Sequence, residues 1–284
     1  MNRIVRVGSV PYLNSKPLTE GFRSLEGFAD FRFEPPSKLS AALALGELDV
    51  VLGSSIDYLR GDLEILPGVG IVSRSAVNSV LLTGEVPIEE ARTVNLDPSS
   101  LTSCALVCLW YKERIGRVPR FSRYPLGSPE ALACEVQLAI GDEALRRSGA
   151  FSYQADMGAV WREWMGHPFV YAVWLVRKGV DLGEVGPFLV SRPARVDSGL
   201  VSIAEQASQE LGLDRSVCVE YLTSSLSFRL DPDGIEGLRR FLNLGALHHA
   251  WLQETISGFP DLGVRRPVSI DFYDLSQREL STGS

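Results

Sequence analysis

Five polar residues, Ser9, Tyr12, Asn14, Ser15 and Lys16, crowd the stretch Gly8-Ser-Val-Pro-Tyr-Leu-Asn-Ser-Lys-Pro-Leu18. Hydroxyls, an amide and the free N–H groups of a helix start suit the capture of a carboxylate or phosphate. Asn14 has the most useful chemistry of the set, because its amide can donate to a hydroxyl or a carboxylate. Its competing role is an Asx turn that shapes the loop. A second cluster, Asp97-Pro-Ser-Ser-Leu-Thr-Ser103, supplies Ser99, Ser100, Thr102 and Ser103. These can be helix N-caps, anion donors or both, since the two roles use the same geometry. Ser79 is polar within an apolar run, where a tolerated strand serine competes with a ligand contact. Asp142 ends another apolar run, either as a general base or as a helix cap.

An alternation of strands and helices must position these groups. Residues 4–10 read as a strand that stops at Pro11, and Ser15 with Pro17 reads as the start of a helix over 17–25. Both polar clusters then lie at the C-terminal edges of strands, where open α/β sheets bind ligands. Further strands are predicted at 31–34, 49–52, 70–72, 77–82, 93–96, 138–141 and 169–176. Helices are predicted at 38–45 behind a Ser37 cap, 104–111, 143–147, 157–164 behind Asp156, 199–211, 217–228 and 234–253. The fold class is α/β with mainly parallel sheets. A length of 284 residues predicts two domains. The larger, discontinuous one combines 1–85 with 175–284, and the smaller, 86–174, is inserted between them. A ligand cleft between the two makes domain closure the natural motion. After Pro260 there is little periodicity, so a loosely packed or partly disordered tail is expected.

Composition narrows the function. Hydrophobic residues make up 45% and charged residues 22%, enough for each half to bury a core. No apolar run approaches the ~18 residues of a membrane span. No signal-peptide h-region precedes the first strand, which predicts a cytoplasmic protein with no membrane partner. The net charge is −7, from 28 Lys and Arg against 35 Asp and Glu, which argues against a nucleic-acid partner. An anion must therefore be caught by local donors. Cys104, Cys108, Cys134 and Cys218 lack CxxC or paired His/Cys spacing, so neither a metal site nor a disulfide framework is expected. There is no Walker loop, no GxGxxG and no Ser/His/Asp chain order. His167, His248 and His249 read as structural, and Tyr171 and Trp174 as packing or hinge residues, with a cleft wall as their second reading.

The first loop, with Gly46-Glu-Leu-Asp-Val-Val-Leu52, Asn78-Ser-Val-Leu-Leu82, Leu96-Asp-Pro-Ser-Ser100, Ile140-Gly-Asp142, Asp156-Met-Gly158, Trp161, Pro168-Phe-Val-Tyr-Ala-Val-Trp174, Tyr221-Leu222, Gly237-Leu238 and Phe241, carries a family resemblance. The set resembles the menaquinone-biosynthesis enzymes of the type II periplasmic-binding-protein-like fold, and among them the chorismate dehydratases of the futalosine pathway. The resemblance implies a two-domain α/β fold with its ligand in the cleft, and no metal or organic cofactor. It implies loss of water from chorismate to give 3-[(1-carboxyvinyl)oxy]benzoate. Asn14 and Ser79 would be catalytic; Ser9, Tyr12, Ser15, Ser99, Ser100, Thr102, Ser103 and Asp142 would contact substrate. The sister dihydroxynaphthoate synthase, which cleaves cyclic futalosine, shares the fold but carries a His-Ser-Pro type motif in its first loop. Tyr-Leu-Asn-Ser at 12–15 favours the dehydratase. One departure stands out: the family pattern Ser-Arg-Thr-Ser is here Ser100-Leu101-Thr102-Ser103. Any carboxylate clamping by that arginine passes to hydroxyls, helix N–H groups or another Arg.

No strong protein base stands out in the sequence. Chorismate brings its own carboxylate on the enolpyruvyl arm at C3, the expected acceptor of the C3 proton. Two other classes compete. A non-catalytic binding protein for a small carboxylate is argued against by the missing export signal, and a regulator's sensor domain by the missing helix-turn-helix.

Overall fold

The computed structural model describes residues 3–196 and 199–276. The chain enters on β1 (Val5–Ser9) and turns through a 3-10 segment (Leu13–Ser15) into α1 (Lys16–Thr19). It continues through β2 (Ala29–Phe33), α2 (Pro36–Ala44), β3 (Val50–Ser54), a 3-10 turn (Ser55–Arg60) and the long β4 (Leu63–Ser73). A second group follows: β5 (Val80–Gly84), β6 (Thr93–Asn95), α3 (Leu101–Leu109), β7 (Arg120–Ser122), α4 (Pro129–Leu132), β8 (Val136–Ile140), α5 (Gly141–Arg147) and β9 (Tyr153–Asp156). Helix α6 (Met157–Met165) leads into β10 (Phe169–Arg177) and α7 (Val185–Val196). Then come α8 (Leu200–Leu211), α9 (Arg215–Glu220), β11 (Ser227–Leu230), α10 (Pro232–Leu247) and α11 (His249–Thr255).

The strands form two sheets, ordered β11-β4-β10-β3-β1-β2 and β7-β6-β8-β5-β9. The expected mainly parallel sheets are in fact mixed. β1 runs parallel to β2 and β3, and β6 parallel to β7 and β8. β10 runs antiparallel to β3 and β4, β11 antiparallel to β4, and β5 antiparallel to β8 and β9. The reason is the traffic between sheets. β5 and β10 each begin where the chain has just crossed, so they run away from the cleft while β1, β3, β6 and β8 run toward it. The crossings occupy 74–79 and 157–168; β5 lies in the second sheet and all of β10 in the first.

Burial explains these strands. All five residues of β3 are buried, as are most of β1, because helices cover both faces. Trp161, Phe169 and Phe241 meet edge to face, with centroids 4.9 to 5.8 Å apart, and lock α6 and α10 onto β10. Cys104 and Cys108 pack as small apolar groups in α3, and burial pushes the Cys104 thiol up to about 12. At the end of the first sheet, Asp49 is 1% exposed and collects Arg3 and Arg6 at 2.7 Å and Arg177 at 3.2 Å. Hydrogen bonds from the Arg6 side chain and backbone, with the charges of Arg3 and Arg6, outweigh desolvation and hold its carboxyl at about 2.

Three local expectations are corrected. The helix over 17–25 breaks at Gly21, whose φ of 79° lies in the left-handed region. The helix over 38–45 starts earlier, at Pro36, and Ser37 is not its cap. The helix over 217–228 stops short: α9 ends at Glu220, a π-turn (Tyr221–Ser225) follows, and β11 takes the rest. In β11, Phe228 and Leu230 are buried and Arg229 is exposed, a period of two rather than 3.6. The segment after Pro260 is docked through residue 276, not loose. Val268 and Tyr273 are buried, and the Tyr58 hydroxyl donates to Ser269 O at 3.1 Å and accepts the Asp271 N–H at 2.6 Å. Residues 277–284 of the expected tail lie outside the described residues.

Candidate active site

Four segments converge between the sheets: the loop after β1, the crossing at 74–79, the loop after β6 and the π-turn after α9. They enclose a cavity of about 590 Å³, mouth included. Its walls are apolar, with Val10, Leu52, Ile71, Val80 and Leu226 among them. Its polar groups are Tyr12, Asn14, Ser54, Ser79, Ser100, Ser103, Tyr171 and Tyr221. Among the described residues, no lysine, arginine or carboxylate lines it.

Sequence-predicted residues divide into two groups. Tyr12, Asn14, Ser79, Ser100 and Ser103 line the cavity. Ser9, Ser15, Ser99, Thr102 and Asp142 do not. Ser9 is 1% exposed, and its hydroxyl has no hydrogen-bond partner among the described residues. Ser15 shapes the loop instead of capping α1: its hydroxyl donates to Val10 O at 2.5 Å and to Tyr12 O at 2.9 Å. Ser99 is spent on Asp97, through its N–H at 2.8 Å and its hydroxyl. Thr102 turns toward the other sheet, where its hydroxyl accepts the Ile56 N–H at 3.4 Å and meets Ser55 Oγ at 3.5 Å. Asp142 accepts the Leu13 N–H at 3.2 Å, so it braces the first loop from across the cleft. Burial raises its pKa above the usual carboxylate range. It does not cap α5, whose N-cap is Ile140.

Ser100 caps α3, accepting the Ser103 N–H at 3.1 Å, and its own hydroxyl donates to Ser103 Oγ at 3.0 Å. The start of α3 thus faces the cavity with its partial positive charge. Leu101, where the family pattern has arginine, is buried and lines a separate groove with Arg60 and Arg123. Gly141 at the start of α5 has a φ of 59° and packs beside the Tyr12 ring, a position where any side chain is strained.

The polar centre is a group of three. Tyr221, 2% exposed, donates its hydroxyl proton to Ser79 Oγ at 2.8 Å, and the Asn14 side chain lies beside the Tyr221 hydroxyl. Burial holds the Tyr221 phenol well above its ordinary value, so it stays protonated. The Asn14 Oδ1 is buried without a partner among the described residues. Tyr221 was legible only as a residue of the family pattern, because its place in the cleft depends on a contact 142 residues away. Tyr171, read as packing, is a cavity wall whose hydroxyl meets Ser73 Oγ at 3.2 Å.

The crossings are tied together at Asp156. Its carboxylate caps α6 through Gly158 N at 2.9 Å and Ala159 N at 3.0 Å, and also accepts Val77 N at 3.0 Å and Asn78 N at 2.6 Å. A Cβ on Gly158 would sit 2.5 Å from Ser75 O, so only glycine lets the crossings approach this closely. His167, at the end of the second crossing, pairs with Asp233 at 2.6 Å, and His249 bonds Pro260 O; neither reaches the cavity.

The fold and its site have known counterparts. A curated chorismate dehydratase from Thermus thermophilus is 29% identical over 255 residues, covering 83% of this chain and 93% of that protein. Among solved structures, a protein from Archaeoglobus fulgidus matches with a TM-score of 0.65 at 12% identity, covering 87% of this chain and 98% of the other. The alkanesulfonate-binding protein SsuA from Xanthomonas axonopodis pv. citri, bound to MOPS, matches with a TM-score of 0.57 at 16% identity, covering 90% and 95%. A Candida albicans gene product described as having the generic periplasmic binding protein fold matches at 0.53 and 12% identity, covering 96% and 98%. These structural likenesses establish the periplasmic-binding-protein fold. Residues 5–247 match the family described as menaquinone biosynthesis, and the chain, an α/β protein of that fold with its polar cavity between two sheets, belongs to that family.

Proposed function

We propose that this chain is a chorismate dehydratase, a carbon–oxygen hydro-lyase that acts in the cytoplasm and forms 3-[(1-carboxyvinyl)oxy]benzoate. The observation that carries the reading is the Asn14–Tyr221–Ser79 group in an apolar cavity that, among the described residues, no carboxylate or histidine lines. The Thermus relative supplies the substrate class. Dehydration of chorismate asks for little acid–base power. The C3 proton is acidified through the diene by the ring carboxylate, and loss of the C4 hydroxyl makes the ring aromatic. The enzyme must hold two carboxylates, align the C3–H and C4–O bonds and stabilise the departing oxygen.

In this reading the enolpyruvyl carboxylate takes the C3 proton. The Ser79 hydroxyl donates to the C4 oxygen as it leaves, and Asn14 Oδ1 accepts from the same hydroxyl in the ground state. Carboxylates are held by the start of α3, with Ser100 and Ser103, and by the Tyr12 hydroxyl. Asp142 is a brace for the first loop, not the base. Two bodies, one built on each sheet, close on the substrate about the crossings at 74–79 and 157–168.

Incubation with chorismate, followed by mass detection of a product lighter by one water, tests the assignment. Binding without turnover would leave a receptor, and cleavage of cyclic futalosine would point to the sister synthase. Asn14→Ala should cut turnover at least ~100-fold while shifting the unfolding midpoint little, because it removes a group directed at the reacting hydroxyl.

A further inference from the structure

The hydroxyl of Ser79 carries one proton, and among the described residues that proton has no acceptor. Its oxygen accepts from Tyr221 at 2.8 Å, and the residue is 2% exposed. Asn14 Oδ1 is the converse, a buried acceptor without a donor. The Tyr221 hydroxyl lies beside Asn14 and donates to Ser79. One orphan donor and one orphan acceptor, on either side of one tyrosine hydroxyl in an apolar cavity, complement a single alcohol group on a ligand.

The chain shows how Tyr221 is held there. The helix that begins as α9 widens into the π-turn Tyr221–Ser225. Such bulges redirect side chains and recur at functional sites. Both ends of this turn meet the same crossing segment. Tyr221 reaches Ser79, and Ser225 Oγ accepts from Asn78 Nδ2 at 3.3 Å, with Asn78 in the left-handed conformation at φ 61°. On the far side, Ser79 O accepts the Gly141 N–H at 2.8 Å. Ser79 is therefore fixed from both sides, and only its hydroxyl rotor is left to be set.

We infer that Tyr221 is a positioning residue for the dehydration, committing the Ser79 hydroxyl to point its proton at the leaving C4 oxygen. This rests on the chorismate reading above. The sequence of bonds is Tyr221 O–H to Ser79 Oγ and Ser79 O–H to the substrate oxygen. When the C4–O bond breaks, the oxygen leaves with the bonding pair, and the C3–H pair becomes the new C=C bond. The proton taken from C3 by the substrate carboxylate passes to the departing hydroxide, whose oxygen Ser79 stabilises by a hydrogen bond alone, so one water is released and Ser79 and Tyr221 keep their protons. Burial of the phenol keeps Tyr221 a donor rather than a charged acceptor that would reverse the relay.

Tyr221→Phe keeps the ring and removes the hydroxyl. With chorismate it should lower kcat by ~10–100-fold with KM within ~3-fold, the pattern of an interaction made mainly in the transition state. In a Ser79→Ala background the same change should cost no more than ~2-fold, since the tyrosine acts through the serine. Wild-type kcat retained in Tyr221→Phe, or equal losses in both backgrounds, would overturn the inference. A wild-type protein that binds but does not dehydrate chorismate would overturn the functional reading, and this role with it. If Tyr221→Phe proves unfolded by thermal melting, 3,5-difluorotyrosine at position 221 keeps ring and hydroxyl while lowering the phenol pKa. The alkaline limb of kcat should then move to lower pH; an unmoved limb would count against the relay.

Discussion

The Asp142 carboxylate accepts the backbone N–H of Leu13 at 3.2 Å, joining α5 of the second sheet to the loop that follows β1 of the first. The two residues are 129 positions apart, and the bond spans the cleft beside Asn14. A carboxylate spent on an amide, in a place where burial raises its pKa, is suited to hold a loop rather than to take a carbon-bound proton. Asn at this position can still accept the Leu13 N–H. Asp142→Asn should therefore keep kcat within ~10-fold of wild type, whereas Asp142→Ala should lose the brace and raise KM more strongly. Steady-state kinetics on the two variants decide the matter. Loss of single-turnover chemistry in Asp142→Asn with substrate still bound would move the base onto the protein.

The same bond shows where sequence reading stops. Features set by local chemistry were legible: the Ser100 cap on α3, the Asp156 cap on α6, and Asn14 and Ser79 at the cavity wall. Each follows from a residue and its near neighbours. Tyr221 over Ser79, Thr102 turned to Ile56 and Asp142 on Leu13 are set by tertiary contacts, which spacing does not encode. β11 was lost inside a predicted helix because the π-turn joins α9 to it without a Gly or Pro to mark the change. The docked segment after Pro260 is held mainly by single tertiary contacts to Tyr58, Ile65 and Leu182, so it has no period to read.

Asp156 is where closure should be sensitive. Four backbone N–H groups, two from each crossing, share its carboxylate. Asp156→Ala removes a helix cap, which costs about 1 kcal/mol, and leaves the Val77 and Asn78 donors to water. Calorimetry should show a drop in the unfolding midpoint. Kinetics should show KM raised and kcat lowered together, as expected when a hinge rather than a reacting group is altered. Asp156→Asn keeps acceptor capacity at one oxygen and should fall between wild type and Ala. A variant with a lower midpoint but unchanged kinetics would make Asp156 a cap and nothing more.

Asp49 predicts the acid limb of stability. Its carboxyl sits at about 2 in the folded chain against an ordinary 3.8, held down by hydrogen bonds from Arg6 and by the charges of Arg3 and Arg6. A depressed carboxyl pKa stabilises the fold above the unfolded value, and the contribution fades as pH falls through the folded value. The window is therefore pH ~4 down to ~2. Because the arginines are partly exposed, the contribution is discounted to ~1–2 kcal/mol. Denaturant titrations of wild type and Asp49→Asn should show a constant gap above pH ~4 that narrows below it. A gap that stays constant to pH ~2 would mean that packing, not charge, accounts for Asp49.

The last prediction concerns the substrate's own carboxylate. No Asp or Glu lines the cavity among the described residues, and the one nearby carboxylate read as a base is bonded to Leu13. If the enolpyruvyl carboxylate takes the C3 proton, then a chorismate analogue with that group masked as an amide has lost its base. It should bind more weakly as well, since one charge no longer meets the helix start at Ser100. Weaker binding alone does not separate the two losses. The single-turnover rate at saturating analogue does, because saturation removes the binding term. That rate should fall by at least ~100-fold, the usual contribution of a positioned base. A saturating rate near that of chorismate would place the acceptor elsewhere. Asp142 would then be the first group to test, through the pH profile of the single-turnover rate in wild type against Asp142→Asn.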